Sequence, residues 1–395
     1  MQFTDEISLQ GGKSPYLRRI SKKLLTLGWE TFFLTYNRGD TDLPHARVIH
    51  AGSYKDVEKE IKQFEPDLIN THCMIDDESW EYVAAYPVVR TIHNHNPYCP
   101  SGTKYNARHR LPCDHKAHYC GCLKGYLVNG CGSRRPWRII NNFVTYKREK
   151  QQLHNIPLIA LSEYHRNELI SAGYKPELVF TNHVFGPDPG DVGEQPPIKG
   201  ERPYFIFPGR VVPYKGIDWL VDALLISKEK PLLVIAGDGY YLPEVKARVS
   251  KLALDDYVIF KGWLGQQDLR WWIKHARAVV VPSAWHEPAG SVAAETMRLG
   301  TPLIISRVGG LKEFFMFGDG GLMVSPGDVQ GLADALDKLA ANRQLARELG
   351  RGAYKMAVEY FNIDRHAQRL VEIFSIFRRK KSTSIRFPEE EGETP

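Results

Sequence analysis

Residues 282–302 read Pro282-Ser283-Ala284-Trp285-His286-Glu287-Pro288-Ala289-Gly290-Ser291-Val292-Ala293-Ala294-Glu295-Thr296-Met297-Arg298-Leu299-Gly300-Thr301-Pro302. One carboxylate, Glu287, precedes a turn of small residues, and a second, Glu295, lies eight positions later in a helical pattern. A helix that starts near Ala289 or Gly290 aims its free N–H groups and the positive end of its dipole at whatever sits above Glu287. That is a phosphate site in outline. Taken alone, Glu295 reads more readily as a helix-surface charge.

Upstream, residues 204–218 form an apolar strand, a Pro208-Gly209 turn, and a loop carrying Arg210 and Lys215. A guanidinium fork beside a mobile ammonium suits a pyrophosphate. Further short apolar runs follow at Leu232–Ala236, Val258–Phe260, Ala278–Val281 and Pro302–Ile305, each ending in a Gly-bearing loop and separated by helical segments. The pattern predicts a βαβ array with a parallel sheet, whose ligands collect at the carboxyl ends of the strands. The anion-binding elements therefore converge on one crevice.

Pro208-Gly209-Arg210 with Lys215-Gly216, Ala236-Gly237-Asp238-Gly239, Glu287 and Glu295 at their spacing, Gly300-Thr301-Pro302 and Gly309-Gly310 occur in order. Together they resemble the donor domain of family-4 retaining glycosyltransferases of the GT-B fold, of the bacterial polysaccharide type. The resemblance is close over residues 203–330. It implies an α/β protein of two Rossmann-like β/α/β domains facing each other across a cleft. It also implies transfer of a hexose or related sugar from a UDP- or GDP-linked donor to a saccharide or lipid-linked saccharide acceptor, with no catalytic metal or cofactor. Arg210 and Lys215 would hold the diphosphate and stabilise the leaving charge. Glu287 would meet the hexose hydroxyls beside the amides of Ala289 and Gly290, the amides of Ser291 and Val292 would reach the distal phosphate, and Glu295 would take the ribose. Gly237 would line the donor site, and the backbone of Gly262, Trp263 and Leu264 would lie against the base.

At 395 residues, two domains are expected. We place them at 1–190 and 200–362, joined through the Pro/Gly-rich stretch Gly186–Pro203. A helix over 363–380 would cross back to the first domain, and 382–395 would form a disordered acidic tail. Strands are expected at Thr31–Thr35, Leu68–Asn70, Val88–Ile92 and Leu158–Leu161. Met1–Leu9 is mostly polar, unlike the apolar strand that opens members of the family, so the first strand stays open. Gly11-Gly12 resembles the family's glycine loop, which would place Gly12 against the donor. The helix that follows carries Arg18, Arg19, Lys22 and Lys23 on one face, a candidate contact for anionic lipid. His93, at the end of the strand Val88–Ile92, matches the family's strand-end histidine better than His95 and would orient the donor sugar.

Five of the six cysteines fall in one insert: Cys99, Cys113, Cys120, Cys122 and Cys131. Their spacing matches no standard zinc module, so a structural metal such as zinc, a disulfide framework and reduced thiols all stay open. Residues 101–150 hold eleven Lys or Arg against Asp114 and Glu149, an excess of nine where the whole chain carries +6. Interleaved Tyr and Trp suit a lipid diphosphate or sugar chain at a membrane surface, with a polyanion- or nucleic-acid-binding module, or a binding protein without turnover, as the competing readings. No nucleic acid is expected as a partner. No apolar run approaches 18 residues, so nothing spans a bilayer, and the expected location is the cytoplasm, peripheral to the membrane's inner face.

Overall fold

The computed structural model describes residues 1–8, 13–39, 43, 45–190, 192 and 202–379. Gly12, most of the predicted linker and the predicted tail lie outside the described residues. The strands are β1 (Gln2–Thr4), β2 (Phe32–Thr35), β3 (Arg47–His50), β4 (Ile69–Thr71), β5 (Val88–Thr91), β6 (Tyr105–Asn106), β7 (Leu111–Pro112), β8 (Leu158–Ala160) and β9 (Val179–Thr181). They continue with β10 (Tyr204–Pro208), β11 (Leu232–Ala236), β12 (Val258–Gly262), β13 (Ala278–Val281), β14 (Leu303–Ser306) and β15 (Gly321–Val324).

Two parallel sheets result, ordered β3-β2-β1-β4-β5-β8-β9 and β12-β11-β10-β13-β14-β15, with β6 and β7 as a small hairpin between β5 and β8 in the chain. In each sheet the winding reverses beside its first strand, between β1 and β4 and between β10 and β13. Adjacent loops there diverge and leave a crevice. The second crevice lies between the loop bearing Arg210 and Lys215 and the loop bearing Glu287.

The first strand exists and is central, since β1 pairs with both β2 and β4. Its polar composition misleads because Gln2 and Thr4 are buried yet satisfied: Asn70 donates to Gln2 Oε1 at 3.0 Å and His72 Nε2 at 2.7 Å, and Thr4 Oγ1 donates to Asp5 Oδ1 at 2.9 Å. Phe3 supplies the apolar contact, with no exposure at all.

The helix Ile363–Phe377 packs back on the first sheet's domain. Leu370, Ile373 and Phe374 join Leu17, Ile20 and Leu24 of the helix Lys13–Thr26 in one core. His366 fastens it: Nδ1–H donates to the His183 carbonyl at 2.7 Å, and Nε2 accepts from Tyr16 Oη at 2.9 Å. Half of the predicted lipid-facing stripe is also used internally, since Arg19 pairs with Glu295 at 2.9 Å and Lys23 with Asp364. Arg19 and Lys23 thus face the second domain and the closing helix, while Lys22 on the same helix stays exposed. Among the described residues, no helix is long and apolar enough to cross a bilayer.

Burial holds the imidazoles of His165 and His366 down to about 4, against 6.5 for a free side chain. Between those values the unfolded chain binds protons that the folded chain excludes. Stability is therefore full above pH 6.5 and falls as pH drops toward 4, by up to roughly 1.4 kcal/mol per pH unit for each histidine. Guanidinium unfolding at pH 7.5, 6.0 and 5.0 should show a declining midpoint, and an unchanged or rising midpoint contradicts the assignment.

Candidate active site

The loops at the carboxyl edge of the second sheet are interlocked through backbone, and glycine permits it. A Cβ on Gly237 would sit 1.8 Å from the Gly209 carbonyl oxygen, and one on Gly216 1.7 Å from that of Pro282. Val211 N donates to Asp238 O at 2.9 Å and Ala284 N to Tyr214 O at 2.9 Å, so three loops hold one another in register. Gly216 (φ +72°) ends the turn Pro213–Lys215 and starts the helix Ile217–Ile226.

This lock brings Lys215 Nζ to 2.6 Å from Glu287 Oε1, which also accepts from Ser283 Oγ at 2.6 Å. Glu287 is only 6% exposed. Burial alone would raise its pKa, yet the Lys215 ammonium and the Ser283 hydroxyl hold its carboxyl below the usual carboxylate range. The Lys215 ammonium also lies 5.1 Å from the centre of the Trp285 ring. Arg210 stands exposed on the same loop system and enters no ion pair among the described residues. Gly290, at φ +77°, begins the helix Ser291–Arg298, and no side chain caps it. Ser291 and Val292 are the first residues of that helix. Gly262 (φ +62°) closes β12, followed by exposed Trp263 and half-buried Leu264.

Glu295 is engaged across the domains, because the Arg19 guanidinium that reaches it at 2.9 Å also donates to Gln266 Oε1 at 3.0 Å. A ribose at Glu295 would compete with Arg19.

On the opposing domain, His93 is half-buried just past β5. Gln2 Oε1 accepts from His72 Nε2, so His72 Nδ1 is an acceptor, and His93 Nε2 donates to it at 2.9 Å. His93 Nδ1 is thereby left as an acceptor for a ligand hydroxyl. Burial pushes the His93 pKa well below 6.5, so the ring is neutral at physiological pH. His95 plays a different part, since it is fully buried and its Nε2 bonds the His286 carbonyl oxygen at 2.7 Å across the interface.

Glu313 carries no mark in the sequence that singles it out, yet it is a functional part of the seam. This buried carboxylate accepts from the amides of Glu163 and Tyr164 at 2.9 and 2.6 Å and from His183 Nε2 at 3.1 Å. It caps a helix of the other domain. The only local signal is its position just after Gly309-Gly310. Beside it, Ser162 Oγ donates to the Pro288 carbonyl at 2.6 Å. The cysteine insert reaches the same seam, with Asp114 2.8 Å from His286 Nε2 and Arg110 2.8 Å from Asp218.

Residues 192–356 match the family described as glycosyl transferases group 1. The match lies within the second half of the chain and covers less than half of the whole. The chain spans about half the length of the first curated relatives it matches. One is the lipopolysaccharide core biosynthesis glycosyltransferase LpsE of Rhizobium meliloti, 32% identical over 162 residues, 41% of this chain and 46% of that one. A D-inositol 3-phosphate glycosyltransferase of Nocardioides is 27% identical over 403 residues, 92% of this chain and 85% of its own. The solved structure of Anabaena HepE in complex with UDP superposes with a TM-score of 0.68 at 18% identity, covering 95% of this chain and 99% of that one. The fold is GT-B, and the group 1 region is its second domain, with Glu287 at the domain seam.

Replacing Glu313 by alanine leaves two helix amides of the first domain without an acceptor. We expect a stability loss of roughly 2–4 kcal/mol and a looser seam, read by urea unfolding and by the radius of gyration in solution scattering. A variant with wild-type stability and compactness would show that Glu313 does not couple the domains.

Proposed function

We propose that this chain is a retaining glycosyltransferase that moves a hexose or related sugar from a nucleoside-diphosphate donor to a saccharide or lipid-linked saccharide acceptor in surface polysaccharide assembly. The observation that carries the reading is the switch-point arrangement of Lys215, Glu287, Arg210 and the uncapped start of the helix Ser291–Arg298 within a group 1 region.

Breaking an anomeric C–O bond builds positive character on the sugar and negative charge on the departing phosphate. Lys215, held by Glu287, and the amides of Ser291 and Val292 at a helix start are fixed donors for that charge, and exposed Arg210 adds a mobile guanidinium. Lys215 is held by Glu287, so a phosphate shares an ammonium that is in position and little ordering is needed. Glu287, kept ionised, offers its second oxygen to sugar hydroxyls, and the neutral Nδ1 of His93 offers an acceptor from the facing domain. Gly262 to Leu264 suit the base and Glu295 the ribose, once Arg19 yields. The UDP bound in the HepE structure favours UDP among the donors to test first.

The acceptor side supports a membrane-proximal reading. The insert exposes Leu123, Leu127 and Val128, and the helix Pro136–Leu153 exposes Trp137 (60%), Ile140 (64%) and Val144 on one stripe. Exposed Lys124, Arg134, Arg135 and Arg138 surround these apolar groups. Apolar side chains framed by cations fit an anionic bilayer better than a nucleic acid, whose phosphates gain nothing from leucine and isoleucine. The insert is thus a broader candidate for lipid contact than the helix at 13–26, where Arg19 and Lys23 are already paired.

UDP should raise the melting temperature of the wild type by mass action, while Lys215→Ala loses that shift and at least about a hundredfold in kcat. No shift with UDP, GDP or ADP sinks the transferase reading. Separately, the protein should co-sediment with phosphatidylglycerol vesicles and not with phosphatidylcholine alone. Trp137→Ala with Ile140→Ser should weaken that binding by about tenfold or more at unchanged UDP affinity, and equal binding to both vesicle types refutes an anionic-lipid surface.

A further inference from the structure

The insert between Cys99 and Arg135 is short of the means to hold itself together. Its regular structure is the β6–β7 hairpin, a helix of six residues over Tyr119–Lys124 and one π-helical turn over Gly125–Asn129. Except for Cys99 at the rim of one cluster, none of its residues joins the apolar cores of the two domains. Leu111, Leu123, Leu127 and Val128 face outward. With buried Tyr105 and Tyr126 as its large anchors, packed on Tyr214 and Phe143, a segment of this size ordinarily still needs a disulfide or a metal. All six cysteines are unpaired.

Four of the five insert cysteines line one cavity of about 270 Å³: Cys99, Cys113, Cys122 and Cys131. They arrive from four different pieces of chain: the turn after β5, the end of β7, the short helix and the segment after the π-helical turn. Cys120 is exposed and absent from the lining. The packing around the sulfurs is close, since a Cβ on Gly125 would stand 3.1 Å from Cys131 Sγ, and Ser101 Oγ lies 3.2 Å from Cys99 Sγ. Buried Lys104 also lines the cavity, its ammonium paired with Glu168 at 2.8 Å.

We infer that Cys99, Cys113, Cys122 and Cys131 form a tetrathiolate centre for a soft metal, which staples the insert and is separate from the sugar-transfer site. Soft thiolate sets select zinc or iron–sulfur clusters. Among the described residues, no three such side chains yet converge on one ion. Either occupant accommodates that fact: rotation about Cys χ1 carries each sulfur by ~3 Å between staggered wells, enough to contract around zinc, and a polynuclear cluster fills a wider ring. Spacing alone could not show this, because Cys120-Gly121-Cys122 looks like a pair and the fold separates its members. The centre would hold Cys113, and with it Asp114, against His286 and so against the neighbour of Glu287.

The test is metal analysis of the full-length protein purified without oxygen. About one zinc per chain, or iron with an equal amount of inorganic sulfide, supports the centre and tells the two occupants apart. Cys120→Ser should keep the full metal content, whereas Cys113→Ser and Cys122→Ser lose it and melt at lower temperature. Should those variants not fold, the wild type still decides: exchange with Co(II) should give thiolate-to-cobalt charge transfer and tetrahedral ligand-field bands. Metal-free protein that gives no such bands on cobalt addition, or disulfides among the four cysteines in the freshly isolated chain, overturns the inference.

Discussion

A carboxylate almost wholly removed from water must be paired, and the loop Pro282–Gly290 is organised around that requirement at Glu287. Its partner, Lys215, comes from the loop after β10, 72 residues away in the chain and beside it only because the winding of the sheet reverses between β10 and β13. Leaving one such charge unpaired costs several kcal/mol, so the two loops are tied together more firmly than a surface ion pair would tie them. The close backbone approach at Gly216 and Gly237 serves the same end, since any side chain there would push the loops apart.

The first domain holds the far side of the same loop. His95 bonds the His286 carbonyl and Ser162 the Pro288 carbonyl, so the backbone on both sides of Glu287 is satisfied from across the seam. Glu313 reciprocates by capping the first domain's helix at Glu163. Many of these contacts are short polar bonds to backbone atoms, and ring contacts of His95 with Trp285 and of Tyr164 with His286 accompany them. The Arg19–Glu295 pair belongs to the same set and is the contact that a nucleotide ribose would have to replace.

Much of the donor side is legible in the residues themselves. The helix start at Gly290, the Gly-ended strands and the Lys215 loop are local patterns of period, turn chemistry and charge, and local patterns survive into the fold. Glu313 is not legible, because a carboxylate three residues past Gly309-Gly310 differs in no local way from a solvated one. The strand β1 is hidden by its polarity, since nothing in Gln2 announces that Asn70 and His72 will satisfy it, nor in Thr4 that Asp5 will. The strands β3, β9 and β15 escape the sequence pattern as well, being three or four residues long with little to mark them from neighbouring loops.

By itself, then, the sequence determined the α/β alternation, the motifs of the second domain that resemble a known family and the residue types that would face a diphosphate, because hydrophobic period and glycine placement act over a few residues. Only the tertiary structure decided which charges were already spent on one another, as with Arg19 and Glu295, and which were left for a ligand, as with Arg210. It also decided that four cysteines meet around one cavity while Cys120 does not, and that Trp137 and Ile140 lie on a basic surface. Each of these is a fact about neighbours distant in the chain, and pairing, burial and exposure are set by such neighbours.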